Sequence, residues 1–164
     1  MNQGYLQFMP QRPFISRIRK SNSGDGQRVM KIWRDAVQET HLFLKAKDRF
    51  EIEKSLSDFL PMASLWLAVD DSDNAIGFML CSHNHLEALF IDPHFMGQGI
   101  GRRLVQQAIS FCNDILSVDV NEENSQALGF YRHLGFIETG RSKTDRQGYP
   151  YPLIFMHLPR NILK

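Results

Sequence analysis

Cysteine is nearly absent from this chain of 164 residues, which contains two, Cys81 and Cys112. Two thiols cannot build a disulfide framework or a four-thiolate zinc site. Both lie in apolar sequence, so they are expected as buried thiols of a protein kept in a reducing compartment, the cytoplasm by default. No stretch of about 18 apolar residues is available for a membrane span, and the opening MNQGYLQFMPQRPF has no continuous apolar run of signal-peptide length. Excess charge of either sign is missing as well: 19 Lys and Arg stand against 18 Asp and Glu, a formal net charge of +1. A nucleic-acid partner, which calls for a basic excess, is therefore not expected, nor is a membrane. Internal repeats and low-complexity segments are lacking too. What is present, 43% hydrophobic and 23% charged residues, is the composition of one globular domain with one sizeable core.

Residues 1–12 mix Asn, Gln, Gly and Pro without periodicity, as a flexible N-terminal arm would, and the domain proper is expected over 13–160. From Phe14, FISRIRKS alternates apolar and polar positions as a half-buried strand does, and SNSGDG then breaks the chain with Ser and Asp available as helix caps. Val29, Ile32, Trp33, Val37 and Leu44 fall near one helical face, and RFEIEKSLSDFL repeats the pattern before Pro61, which predicts two amphipathic helices. SLWLAVDD and AIGFMLCSH, joined by the turn residues DSDN, read as a hairpin, and HLEALFIDP as a further strand. After a glycine cluster, Leu104, Val105, Ala108, Ile109 and Cys112 recur at helical spacing. Strand ILSVDVN, helix NSQALGFYRHLG and strands FIETGRSK and YPLIFMHL complete the chain. The expected fold is a mixed α/β domain of about seven strands and four helices in the order β-α-α-β-β-β-α-β-α-β-β.

Gly97, Gln98, Gly99, Ile100 and Gly101 stand between a strand and a helix, where free amides and the helix dipole together suit an anion. Glycine lets the backbone approach phosphate oxygens without a Cβ in the way. A P-loop would need Lys and then Ser or Thr after its second glycine, and Gly101-Arg102-Arg103 excludes it. Asp119 follows at about the distance of a ribose-binding acid. However, a dinucleotide turn starts directly at the strand end, whereas Asp-Pro-His-Phe-Met intervenes here and Arg102 stands where a third small residue belongs.

LFIDPHFMGQGIGRRL resembles instead the pyrophosphate loop of the GNAT (GCN5-related N-acetyltransferase) family, written Arg or Gln, any two residues, Gly, any residue, Gly or Ala. Gly99 and Gly101 match its two glycines. NEENSQALGFYRHLGF resembles the family's second motif at Asn124, Ala127, Phe130, Tyr131, Gly135 and Phe136. Two motifs in the right order, joined by a helix and a strand, are far more specific than either alone. The resemblance covers roughly residues 14 to 158, and THLFL, FLP, LFIDP, NEEN and PYPL are similar to a subgroup of small bacterial members.

The resemblance implies a single-domain GNAT fold and an acetyl-coenzyme A dependent N-acetyltransferase. Such an enzyme moves the acetyl group to a primary amine of a small molecule or protein by direct attack, without a metal. It implies that Met96, Gly97, Gln98, Gly99, Ile100, Gly101, Arg102 and Arg103 hold the pyrophosphate. It also implies that two parallel strands bulge and splay near Phe90 and Ile91 to admit the pantetheine arm, with Asn124, Ala127, Phe130 and Tyr131 along the cofactor. Asn124 is equally a helix cap. Met96 departs from the family's Arg or Gln and loses a side-chain phosphate contact, which Arg102 and Arg103 are available to replace.

An amine acceptor must be neutral to attack. A lysine-like amine with pKa about 10.4 is unprotonated about once in 2,500 at pH 7, a deficit of about 4.6 kcal/mol, so a general base is expected. Period-2 alternation sets His85, Glu87, Leu89 and Ile91 on one face of their strand. By resemblance, His85 falls where histone-acetylating relatives carry a glutamate, and Glu87 is one strand step nearer. Either can be the base; a turn histidine and a solvated carboxylate are the plainer readings, and His83 shares the first. Tyr131 matches the tyrosine that faces the cofactor sulfur in the family, which makes it the expected acid; packing alone would also explain an FY pair on an amphipathic helix. His41 and Phe43 are acceptor-pocket candidates from the region that often overhangs that site, whereas Trp33 and Leu44 are expected in the core. Arg141, Lys143 and Arg146 form a short basic run, read as solvated loop charge or as a contact for an acidic group. The alternative to an enzyme is a non-catalytic acyl-coenzyme A sensor or partner-binding module. A monomer or homodimer fits the chain, with YPLIFMHL the strand that could pair between copies.

Overall fold

The computed structural model describes Ile15 and residues 17–159; the arm expected over 1–12 lies outside them. Seven strands form one sheet: β1 (Arg17–Lys20), β2 (Trp66–Val69), β3 (Ala75–Ser82), β4 (His85–Ile91), β5 (Ser117–Asn121), β6 (Ile137–Ser142) and β7 (Leu153–His157). Four helices, α1 (Gly26–Thr40), α2 (Ala46–Phe59), α3 (Ile100–Phe111) and α4 (Ser125–His133), interrupt them in the expected order. The sheet runs β1-β2-β3-β4-β5-β7-β6, antiparallel except between β4 and β5. The last strand thus lies between β5 and β6 with both edges paired, not free to meet a second copy as its sequence had suggested. No helix among the described residues is long and apolar enough to cross a membrane.

The two sheet faces carry separate cores. Val29, Ile32, Trp33 and Val37 form the buried stripe of α1 and pack with Leu67 and Phe78 on one face. Ile100, Leu104, Val105 and Ala108 of α3 join Leu128 and Tyr131 of α4 on the other. The second amphipathic helix is weaker than its pattern suggests: α2 buries no residue fully, and Ile52 and Leu56 rest half-buried on the α1 core while Phe50 and Phe59 face solvent.

β3 and β4 join through His83 and Asn84, both with positive φ (49° and 61°), the geometry of a two-residue hairpin turn. His83 is therefore a turn residue, whereas His85 opens β4. Within β4 the register slips: Leu80 faces Ala88 but Cys81 faces Leu86, which leaves Glu87 as an extra, bulged residue. The bulge overturns the simple alternation. Leu86, Leu89 and Ile91 pack toward α3 and α4, and Ala88 and Phe90 toward α1. His85 and Glu87 thus share the α1 face, opposite Leu89 and Ile91. The bulge also falls three residues before the position expected near Phe90 and Ile91.

Candidate active site

Beyond the bulge the sheet opens. β4 and β5 are in register only at His85 with Ser117 and Leu86 with Val118, and then part. At the far end of the gap, Asp92 closes β4 and accepts from the His94 amide (3.0 Å), while its other oxygen pairs with the Arg28 guanidinium of α1 (2.5 Å). Arg28 also donates to the Ala75 carbonyl (2.8 Å). Burial opposes ionisation of Asp92, but these donors outweigh it and hold its carboxyl below the ordinary range. The glycine turn that follows is therefore fixed at its root.

Gly97 and Gly99 have φ of 76° and 79°, a backbone that only glycine adopts without strain. A Cβ at either would find nothing within 4 Å, so the turn presents bare backbone to open space. Gly99 caps α3 without any side-chain hydrogen bond, leaving the first-turn amides of a 12-residue helix unclaimed by a side-chain cap. These features fit a pyrophosphate. Gly101 serves packing: a Cβ there would meet Phe130 Cζ at 3.1 Å, so its absence lets α3 close on the ring from α4. Met96 is 42% exposed and brings no charge. Arg103 leans away to the Ile15 carbonyl (3.4 Å), and Arg102 makes no ion pair among the described residues, so Arg102 is the cation left to replace the motif's missing one.

Asn124 accepts from the Ala127 amide at 3.1 Å and thus caps α4, the plainer of its two readings. From that helix Tyr131 enters the core against which Leu89 and Ile91 of β4 also pack, its ring edge-on to Phe130 and Phe136 at 5.0 and 5.2 Å. Burial pushes its phenol well above the ordinary value, so it carries its proton at neutral pH. No hydrogen bond to the hydroxyl is found among the described residues, and packing fixes the ring.

On the opposite face, at the end where β4 and β5 still pair, lies a cavity of about 360 Å³ lined by His85, Ser117, Asp119, Arg146 and Phe155 among others. His85 Nδ1 lies 2.7 Å from Ser117 Oγ, and its Nε2 3.1 Å from Arg146 Nη2. A guanidinium only donates, so Nε2 presents its lone pair and the ring proton sits on Nδ1. Arg146 also donates through Nε to Asp119 (2.9 Å) and approaches Glu87 at 3.8 Å. Glu87 accepts from Ser82 Oγ at 3.0 Å. An aromatic cluster outside this cavity's lining gathers around His41, which lies 5.3 Å from Phe43 and 6.2 Å from Phe90, with Phe43 6.0 Å from Tyr151. Desolvation lowers the pKa of His41 to about 4. Among the described residues no group of three or more His, Cys, Asp or Glu side chains is placed to hold a metal.

A model of the GNAT acetyltransferase domain matches residues 34–152. The chain belongs to the GNAT family. This GNAT protein is an N-acetyltransferase that uses acetyl-coenzyme A, and the sensor alternative falls. It is 49% identical over 142 residues to the peptidyl-lysine N-acetyltransferase YjaB of Salmonella typhimurium, which spans 87% of this chain and 97% of the relative. The solution structure of apo YjaB from Escherichia coli superposes with a TM-score of 0.82 at 47% identity, over 86% of this chain and 95% of that one. A Thermoplasma acidophilum PaiA N-acetyltransferase in complex with coenzyme A shares the GNAT fold at TM-score 0.68 and 19% identity, over 87% and 97% of the two chains.

The sequence reading named His85, Glu87, Tyr131 and the glycine turn as candidates and Arg146 as part of a basic run, but it passed over Ser117 and the meeting of Asp119 with Arg146. Asp119 was weighed only as a ribose ligand. The signal was there: Ser117 and Asp119 alternate with Val118 and Val120, a polar face on a strand whose other face is core. Arg141 differs from its neighbour Arg146. It is held by Glu122 through two hydrogen bonds of 2.7 and 2.9 Å and takes no part in the cavity.

Proposed function

We propose that this enzyme acetylates lysine side chains of proteins, with the amine entering from the α1 face of the sheet and the thioester from the α3 and α4 face. The observation that carries the reading is the division of labour between the two sheet faces: proton acceptors on one side, a buried phenol that keeps its proton on the other. The relative that is 49% identical is named for a peptidyl-lysine acceptor, which favours a lysine over a small amine. Two unpaired thiols, Cys81 and Cys112, suit a reducing cytoplasm.

When bound, acetyl-coenzyme A supplies a thioester whose acetyl carbon takes the amine nitrogen as the carbon–sulfur bond breaks. His85 Nε2 or the Glu87 carboxylate takes the proton that the amine must lose, and Tyr131 donates its hydroxyl proton to the departing sulfur. The amides of Gly99 to Gly101, with Arg102 beside them, hold the pyrophosphate. Phe90 and Ile91 flank the gap from opposite faces and bracket the pantetheine arm, with Ala127 and Phe130 along it. His41 and Phe43 form the wall along which the acceptor's methylene chain lies.

The test is thiol release with a lysine-containing peptide, the same peptide with only its N-terminal amine free, and a polyamine. Acceptor-dependent release of coenzyme A is expected with the lysine peptide first. The Tyr131→Phe variant should lose about a hundredfold in kcat while binding coenzyme A as tightly as the parent, because only the O–H is removed from a ring that packing fixes. An unchanged kcat would remove Tyr131 from the acid role.

A further inference from the structure

We propose that Arg146 occupies the seat of the acceptor's ammonium and must swing out when a lysine side chain arrives. The proposal rests on the lysine-acetyltransferase reading above and adds a selection device to it. The floor beneath Arg146 consists of hydrogen-bond acceptors: Asp119 Oδ2 lies 2.8 Å from Arg146 Nη2, His85 Nε2 3.1 Å from the same nitrogen, and a Glu87 oxygen 3.8 Å from Nη1. Two acceptors, one of them charged, meet at a single nitrogen and a second carboxylate lies beside it, an arrangement that suits the donors of an alkylammonium. The burial gradient has the same sense. The Asp119 and His85 side chains are each 15% exposed, whereas that of Arg146 is 61% exposed, so a solvent-facing cation covers a sheltered anionic floor.

The loop is built to let that arm move without disturbing its base. Asp145 Oδ1 accepts from the Gln147 and Tyr149 amides, both at 2.9 Å, and Gly148 turns the chain with φ of 87°. Farther along, Tyr151 anchors the loop to α2 by bonding Asp48 and accepting from the Lys45 amide (3.1 Å). The backbone is pinned on both sides of a flexible side chain. Withdrawal of Arg146 uncovers the His85 lone pair, and the incoming ammonium restores the lost positive charge and can pass its proton to Nε2. A neutral or anionic acceptor cannot restore that charge, which makes the latch a filter for cationic side chains.

An internal competitor lowers apparent affinity by the fraction of time the seat is free. The Arg146→Gln variant should therefore show a KM for Nα-acetyl-lysine methylamide about tenfold lower than the parent, and Arg146→Lys, which keeps the cation, should return it toward the parental value. Calorimetry with n-butylammonium, without cofactor, should show the same order of affinities. The 15N signal of His85 Nε2 should move when that ammonium is added to the parent. A KM for Arg146→Gln that rises or stays the same, or n-butylammonium binding no tighter to it than to the parent, overturns the latch. Should neither protein turn over any acceptor, the lysine-acetyltransferase reading fails by itself, and the n-butylammonium affinities still decide whether Arg146 guards a cation seat.

Discussion

Acidification should destabilise this protein through one side chain, His41. The residue ends α1, and its Nδ1 lies 2.7 Å from Thr40 Oγ1. That hydroxyl spends its own proton on the Ala36 carbonyl, so His41 donates from Nδ1 and sits neutral between Phe43 and Phe90. Desolvation lowers its pKa from 6.5 to about 4. The unfolded chain then binds more protons than the folded one between those values. Stability contributed by the neutral ring is present above pH 6.5, falls as the pH drops, and is fully lost below about 4. The whole gap is worth about 3.4 kcal/mol at 1.36 kcal/mol per pKa unit, and about 2 kcal/mol of it is gone by pH 5. For a domain of this size that corresponds to a melting temperature lower by about 4 to 8 °C. The measurement is urea unfolding of the parent and His41→Gln at pH 7 and pH 5. The neutral glutamine removes the His41 proton from the difference while every other histidine cancels. The parent should lose about 2 kcal/mol more than the variant over that interval. Equal losses would show that burial of His41 does not hold its proton off, and the reasoning would be wrong.

Other substitutions separate backbone from packing at the glycine turn. Gly99→Ala introduces no clash but forces a residue with a Cβ to φ 79°. About 1 kcal/mol of stability should be lost, with a several-fold rise in the KM for acetyl-coenzyme A and a smaller change in kcat, read from chemical unfolding and initial rates. Gly101→Ala should behave differently: its methyl would press on Phe130 at 3.1 Å, so adding Phe130→Leu should recover part of the lost melting temperature, whereas the same second change should not rescue Gly99→Ala. Arg28→Met strips a buried carboxylate of its cation and the Ala75 carbonyl of a donor. It should cost about 2 kcal/mol in urea unfolding, discounted for the part-exposed guanidinium, and less in combination with Asp92→Asn than the two single changes summed.

Much of the fold was legible because local chemistry and tertiary demand agree. The apolar period of α1, the strand pattern and the two motifs led to seven strands, four helices and the GNAT family, since α1, α3 and β5 bury the face that their own spacing creates. The α2 helix is where period and burial diverged: Ile52 and Leu56 mark a stripe, but little of the core reaches it.

Around the candidate site, the sequence by itself determined a glycine turn and a packed aromatic pair, because φ near +80° at Gly97 and Gly99 and an FY pair on a short helix are features that residue type can signal. Only the tertiary structure decided which side of the sheet carries His85. One extra residue in β4, Glu87, reverses the alternation and carries His85 to the face where Asp119 waits. A bulge is set by pairing with the neighbouring strand, which no run of seven residues records. Arg146 joins them across 61 residues of chain, a meeting made by how β4, β5 and the loop before β7 stack, and not by anything adjacent to it in sequence.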